Sequence, residues 1–179
     1  MNRKYSSYFN TAFSRVGVSE GGFQDDKHDR GNWTSGKIGV GELKGTNCGI
    51  SAMSYPHLDI ENLSTGEIKE IYHEDFWKPV GGDRYPPELT YQFFDACIHH
   101  GIFNSKVMLQ RSADVIDDGI IGPISLEALS DIPLSDLLKL FLAERLVFMT
   151  NTRVWHLYGK GWARRIAANL RYAAEDTIE

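Results

Sequence analysis

A glycine every few residues between Gly31 and Gly49 breaks into a chain that elsewhere repeats its apolar residues at the spacing of a helix face. Within that stretch Trp33, Ile38, Val40 and Leu43 alternate with Gly31, Gly36, Gly39, Gly41 and Gly45. Glycine weakens a helix interior, whereas β-branched and aromatic residues suit a pleated surface, so the stretch reads as short, turn-separated strands.

On either side the helical period holds. Tyr5, Tyr8, Phe9, Ala12, Phe13 and Val16 mark a first helix that ends near Gly17, which leaves Ser19-Glu20-Gly21-Gly22 at its C-terminal exit. Ser64 and Glu67 form an S-x-x-E capping box ahead of Ile68, Ile71, Tyr72 and Phe76, and Pro79, Gly81 and Gly82 stop that run. A helix opening around Pro87 buries Leu89, Phe93, Ala96 and Cys97 and gives way at Gly101; a short one follows over Val107 to Ala113. Asp117-Asp118-Gly119 is a turn, and Gly122-Pro123 starts the next helix with proline at its first position. Leu134, Leu137, Leu138, Phe141, Leu142 and Leu146 define a longer apolar helix; Trp162, Ile166, Leu170 and Ala173 define the last. Helix, small strand region, then several helices is an α+β plan, predominantly helical.

With 179 residues, 42% of them hydrophobic, the chain has material for one domain, or for one domain with two lobes. Its formal net charge of -5 argues against a general grip on nucleic acid or anionic lipid. The tail is an exception, made locally basic by Arg153, Lys160, Arg164, Arg165 and Arg171. Two cysteines, Cys48 and Cys97, are too few for a disulfide scaffold and form no C-x-x-C pair. The first seventeen residues lack the apolar core of a signal peptide, and no stretch has the length and apolarity of a membrane span. The expectation is a soluble protein, monomeric, made in the cytoplasm.

Cleavage of a glycosidic bond needs a carboxylic acid that stays protonated to meet the leaving oxygen, and a second group that activates water or offsets positive charge. Glu20, beside Gly21, Gly22 and Phe23 at a helix end, is the candidate acid, since partial burial there raises a carboxyl pKa. Asp29, in the polar run Asp25 to Arg30, is the candidate ionised partner.

Glu20-Gly21-Gly22-Phe23, followed by Asp26, Asp29 and Gly31 and later by Gly45-Thr46-Asn47-Cys48-Gly49-Ile50-Ser51, resembles the signature of glycoside hydrolase family 108. That family comprises N-acetylmuramidases of phages and prophages. The resemblance implies a lysozyme-like fold, with a cleft between a small β-hairpin lobe and a larger helical lobe. It implies hydrolysis of the β-1,4 bond between N-acetylmuramic acid and N-acetylglucosamine in peptidoglycan, without metal or organic cofactor. Glu20 matches the catalytic glutamate. The wider phage lysozymes place an aspartate nine positions on and a threonine ahead of a Gly-Ile turn; Asp29 and Thr46 fit those places, Thr46 through Gly49-Ile50. Counted by spacing alone, Thr34 is the alternative to Thr46. Two positions depart from the pattern, Lys27 where a proline is usual and Asn32 where the second glycine of a pair is usual.

A second resemblance, over Phe94 to Tyr172, is to the predicted peptidoglycan-binding region that follows such catalytic segments. It rests on Leu109-Gln110, Asp118-Gly119-Ile120-Ile121-Gly122-Pro123 and Ser125-Leu126. The implied organisation is a catalytic segment over 1–95 and a helical peptidoglycan-binding-like segment over 96–179, packed as one compact unit. Phe23, Trp33 and Tyr91 are candidate sugar-stacking rings, Asn47 and His99 candidate substrate contacts, and the basic tail helix a candidate contact with the anionic envelope. The host role implied is that of an endolysin, released from the cytoplasm through a holin-type pore to act in the periplasm or cell wall.

Two rivals stand beside this reading. A non-catalytic peptidoglycan-binding protein would keep Glu20 as a relic. A zinc-dependent peptidoglycan amidase would need spaced ligands, yet the six histidines form no H-x-x-x-H or H-E-x-x-H, and His99-His100 are neighbours expected to point to different sides of a helix.

Overall fold

The computed structural model describes residues 4–19 and 21–176 and shows a predominantly helical α+β fold. Two compact units make it up, one formed by the chain up to Tyr8 and from Val80 on, the other by Phe9–Pro79. The division falls at Pro79, because the helix of Pro87–His100 packs on the helices that follow it. Among the described residues no helix is long and apolar enough to cross a membrane.

In the Phe9–Pro79 unit, helix α1 (Ser7–Ser19) runs two residues past the expected Gly17 and buries Phe9, Ala12 and Val16, the face its period marks out. The Phe9 ring meets Trp77 edge-on at 5.2 Å and Phe13 meets Tyr72 at 5.6 Å. Strands β1 (Thr46–Asn47) and β2 (Ile50–Ser51) pair antiparallel, Thr46 opposite Ser51 and Asn47 opposite Ile50. Cys48 and Gly49, at φ of 47° and 76°, make the tight turn between them. The rest of the glycine-rich stretch is turns: Trp33 bridges Leu43, while Gly36, Gly39 and Gly41 all take positive φ, which bends the chain too often for longer strands. Helix α2 (Thr65–Tyr72) carries the full capping box, with Ser64 accepting from Glu67 N and Glu67 from Ser64 N. A π turn over His73–Trp77 carries the run into α3 (Lys78–Val80), and Gly81 at φ 68° ends it.

The other unit is built on α4 (Pro87–His100), α5 (Ile102–Ser112), α6 (Pro123–Ser130), α7 (Leu134–Thr150) and α8 (Trp155–Asp176). Proline opens α4 and α6, as expected. Helix α5 begins five residues before the expected Val107, and α8 seven before Trp162. Leu89, Phe93, Phe94, Leu138 and Phe141 form the core. Through that core runs one ionic cluster: Asp95 of α4 accepts from Arg145 Nη2 of α7 at 2.7 Å, from Arg165 Nη2 of α8 at 2.8 Å and from Asn169 Nδ2 at 2.7 Å. Burial opposes the Asp95 charge, but the two guanidinium groups outweigh it and hold the carboxyl well below the usual carboxylate range.

Candidate functional site

Glu20 lies outside the described residues. The residues placed around its sequence position are organised by one strand pairing: Gln24 N donates to Thr46 O at 2.9 Å and Thr46 N to Gln24 O at 2.8 Å. The segment that follows Glu20 is thereby bonded to the edge of the hairpin. Gly45, at φ 82°, allows this approach, since a Cβ there would stand 2.5 Å from Phe23 Cε2 and 2.6 Å from Gln24 O.

Asp29 caps the short 3₁₀ turn Arg30–Asn32, its Oδ1 accepting from Gly31 N at 2.8 Å. Its other oxygen faces Gln24 Nε2 at 3.4 Å, and the side chain is exposed. Thr46, half-buried in β1, donates from Oγ1 to Asn32 Oδ1 at 2.7 Å. Asn32 is fully buried and also binds Gln24 through both ends of its amide, at 2.8 and 3.1 Å. The structure therefore joins Asp29 and Thr46 through two amides, Gln24 and Asn32, that sequence reasoning did not single out as functional. Asn32 did carry a signal, as the departure from glycine beside Gly31.

Thr34, the alternative threonine, is spent on the neighbouring turn, where its Oγ1 accepts from Glu42 N at 3.0 Å. Of the candidate substrate contacts, Phe23 is 40% exposed and lines a shallow cavity of about 260 Å³ together with Leu43, Lys44, Asp59 and Glu61. That cavity joins an aromatic face to carboxylates, a lining that can hold a sugar ring and accept from its hydroxyls. Trp33 is half-buried with its Nε1 donating to Lys27 O at 3.0 Å. Asn47 donates from Nδ2 to Ile60 O at 3.1 Å and to Glu61 O at 3.4 Å, which leaves only its side-chain oxygen for a ligand.

Tyr91 and His99 belong to the other unit. Tyr91 corrects the expectation of a stacking platform: it is 3% exposed, its hydroxyl donates to Asn169 Oδ1 at 2.8 Å and its ring meets Tyr172 edge-on. Its place on α4 turns this ring into the core. His99 packs edge-on against Trp162, and its ring stands 4.3 Å from that of His100 rather than diverging from it. Burial, with Arg165 and Arg145 nearby, pushes the His99 pKa down to about 4, so the imidazole is neutral at ordinary pH. Cys97 is buried beneath the same cluster, with its thiol pushed up to about 12 by burial. Arg165, counted from the sequence as part of a basic tail, is committed to Asp95.

Against known proteins, a model of the family described as Glycosyl hydrolase 108 matches residues 13–101, a span that holds the whole Gln24–Asp29–Asn32–Thr46 group. Among solved structures, that of Brucella abortus SagA is similar over 96% of each chain, with a TM-score of 0.79 and 25% sequence identity. No curated protein matches.

Proposed function

We propose, on the premise that this chain belongs to the glycosyl hydrolase 108 family through residues 13–101, that it is an N-acetylmuramidase. Family and lysozyme-like fold make it a glycoside hydrolase; the bond proposed is the β-1,4 linkage from N-acetylmuramic acid to N-acetylglucosamine in bacterial peptidoglycan. Glu20 gives its proton to the bridging oxygen, which leaves with the N-acetylglucosamine side as a hydroxyl. A water held by Asp29 and Thr46 attacks the anomeric carbon from the opposite face and passes its proton to Asp29, so the new reducing end starts as the α-anomer. Such inversion needs carboxyls about 6.5–9.5 Å apart, enough to seat the water.

The observation that carries this reading is the joining of Asp29 and Thr46 through Gln24 and Asn32 inside the matched span. The cavity beside Phe23 supplies a place for the sugar ring, with Asp59 and Glu61 as hydroxyl acceptors. The helical segment 96–179 serves the same substrate as a wall-binding element. In the cell the protein acts as a monomeric endolysin, made in the cytoplasm and reaching the wall through a pore formed by another protein.

Digestion of purified sacculi tests the chemistry. Mass spectrometry should show disaccharide-peptides ending in reducing N-acetylmuramic acid, with no new amino groups. Glu20→Gln should keep binding to sacculi while turnover falls by at least about 10³-fold, the scale of losing an essential general acid together with its positioning. Unchanged digestion by that variant, or release of free peptides, overturns the assignment. Proton NMR of the first product reads the stereochemistry, and an initial β-anomer rules out inversion.

A further inference from the structure

We propose that Asn32, acting with Gln24, is a positioning residue that fixes the Thr46 hydroxyl as a pure hydrogen-bond acceptor toward the nucleophilic water. The inference rests on the muramidase reading of Asp29 and Thr46 and adds to it the direction of one proton.

The direction follows from two backbone groups that have only one role each. Asp26 N can only donate, and it points at Gln24 Oε1 at 3.0 Å, so that atom is the amide oxygen and Gln24 Nε2 is the donor facing Asn32 Oδ1 and Asp29 Oδ2. Asp26 O can only accept, and it takes Asn32 Nδ2 at 2.9 Å, so the Asn32 nitrogen faces Asp26 and its oxygen faces Thr46. Turning the Asn32 amide over would set nitrogen against nitrogen at Gln24 and oxygen against oxygen at Asp26. Only one arrangement satisfies every contact.

A threonine hydroxyl has one proton. With Asn32 Oδ1 as its acceptor at 2.7 Å, and the Thr46 backbone held on both sides by Gln24, that proton is committed inward. What the hydroxyl offers outward is lone pairs. Asp29 also offers only lone pairs when ionised. A water bridging Asp29 and Thr46 therefore donates both of its protons to the protein and turns its own lone pair to the sugar, which is the orientation attack requires. A freely rotating threonine hydroxyl could instead donate to that water, which would engage one of its two lone pairs, lower its nucleophilicity and leave one of its protons undirected. Asn32 is fully buried, so solvent does not compete for the amide.

The test is a mutant cycle read by kcat and KM on soluble glycan strands prepared from sacculi. Thr46→Val should lower kcat about tenfold or more with KM within about twofold, and Thr46→Ser should restore most of that loss. Asn32→Ala should also lower kcat at nearly constant KM, and Asn32→Ala combined with Thr46→Val should be no slower than Thr46→Val alone within about twofold, because both changes remove one function. Losses that multiply in the double variant overturn the inference while leaving the muramidase reading intact. If instead Asp29→Asn and Thr46→Val both turn over at the parent rate, the reading of those two residues fails and takes the inference with it. Should Asn32→Ala not fold, Gln24→Glu decides: Gln24 is exposed and the change is isosteric, yet it removes the donor that orients Asn32 Oδ1. A drop in kcat of about tenfold without a change in KM supports the inference; an unchanged kcat overturns it.

Discussion

Gly45 is the position where one side-chain carbon alters the most. It takes φ 82° with Phe23 and Gln24 O on the side where a Cβ would project, so Gly45→Ala both strains the backbone and pushes the Gln24 strand off the hairpin. The expected cost is about 1–3 kcal/mol, the range for a special backbone conformation. A urea melt reads it, and a midpoint equal to the parent's refutes it. Thr34→Val gives the contrast. It deletes one acceptor for Glu42 N on an exposed turn, so kcat on glycan strands should stay within about twofold of the parent, and a loss like that expected of Thr46→Val would make Thr34 the catalytic threonine after all. At this scale the sequence was legible where structure is local: the tight turn at Cys48-Gly49 that pairs Thr46 with Ser51 sits where the Gly-Ile pair placed it. Asn32 was not legible as a hub because its partners, Gln24 and Thr46, lie 8 and 14 positions away and meet only once the hairpin has formed. Tyr91 was misread for a related reason, since the partner that holds its hydroxyl, Asn169, comes from α8, 78 positions on.

Helices were read well wherever a terminal signal fixed them, because caps act over three or four residues and need no tertiary partner. The Ser64–Glu67 box is the clearest case, and Ser64→Ala should cost about 1 kcal/mol of stability by thermal or chemical unfolding. Boundaries without such a signal drifted: α5 and α8 both start earlier than their apolar period suggested. The joining of α4, α7 and α8 was illegible, since Arg145 and Arg165 lie 50 and 70 positions from Asp95 and meet it only in the fold. Asp95→Asn leaves two guanidinium groups in the core without their anion, and should cost about 3–5 kcal/mol. The same cluster sets a pH dependence. His99 and His100 face Arg145, Arg165 and Asp95, and burial with the neighbouring cations lowers both imidazole pKa values below their unfolded value. The unfolded chain then binds the extra protons first, so stability is full above about pH 6.5 and falls as pH drops from there, through about 4 for His99 and on to about 2 for His100. Asp95, also depressed, adds its own loss below about pH 4. Thermal melts between pH 7 and 4.5 should show this decline, and His99→Asn with His100→Asn should flatten it; an equally steep decline in that double variant removes the histidines as its cause.

For the molecule as a whole, charge decides how it meets its substrate. The formal net charge of -5 belongs to a chain whose proposed target, the sacculus, carries its own carboxylates, so the long-range force between them is repulsive. The basic tail offsets this less than its composition suggested, because Arg165 is turned inward onto Asp95 while Lys160, Arg164 and Arg171 remain exposed. Salt shortens the reach of that repulsion, from about 30 Å at 0.01 M to about 8 Å at 0.15 M. Raising salt across that range should therefore raise kcat/KM on whole sacculi several-fold. It should leave kcat almost unchanged, since the groups proposed to hold the water act at hydrogen-bond distance and are little screened. Replacing Lys160, Arg164 and Arg171 together by glutamate should steepen the salt dependence by strengthening the repulsion. If kcat/KM falls with added salt instead, and these three replacements abolish the fall, attraction through the last helix governs the encounter, and the tail is an envelope contact rather than a solvated face of α8.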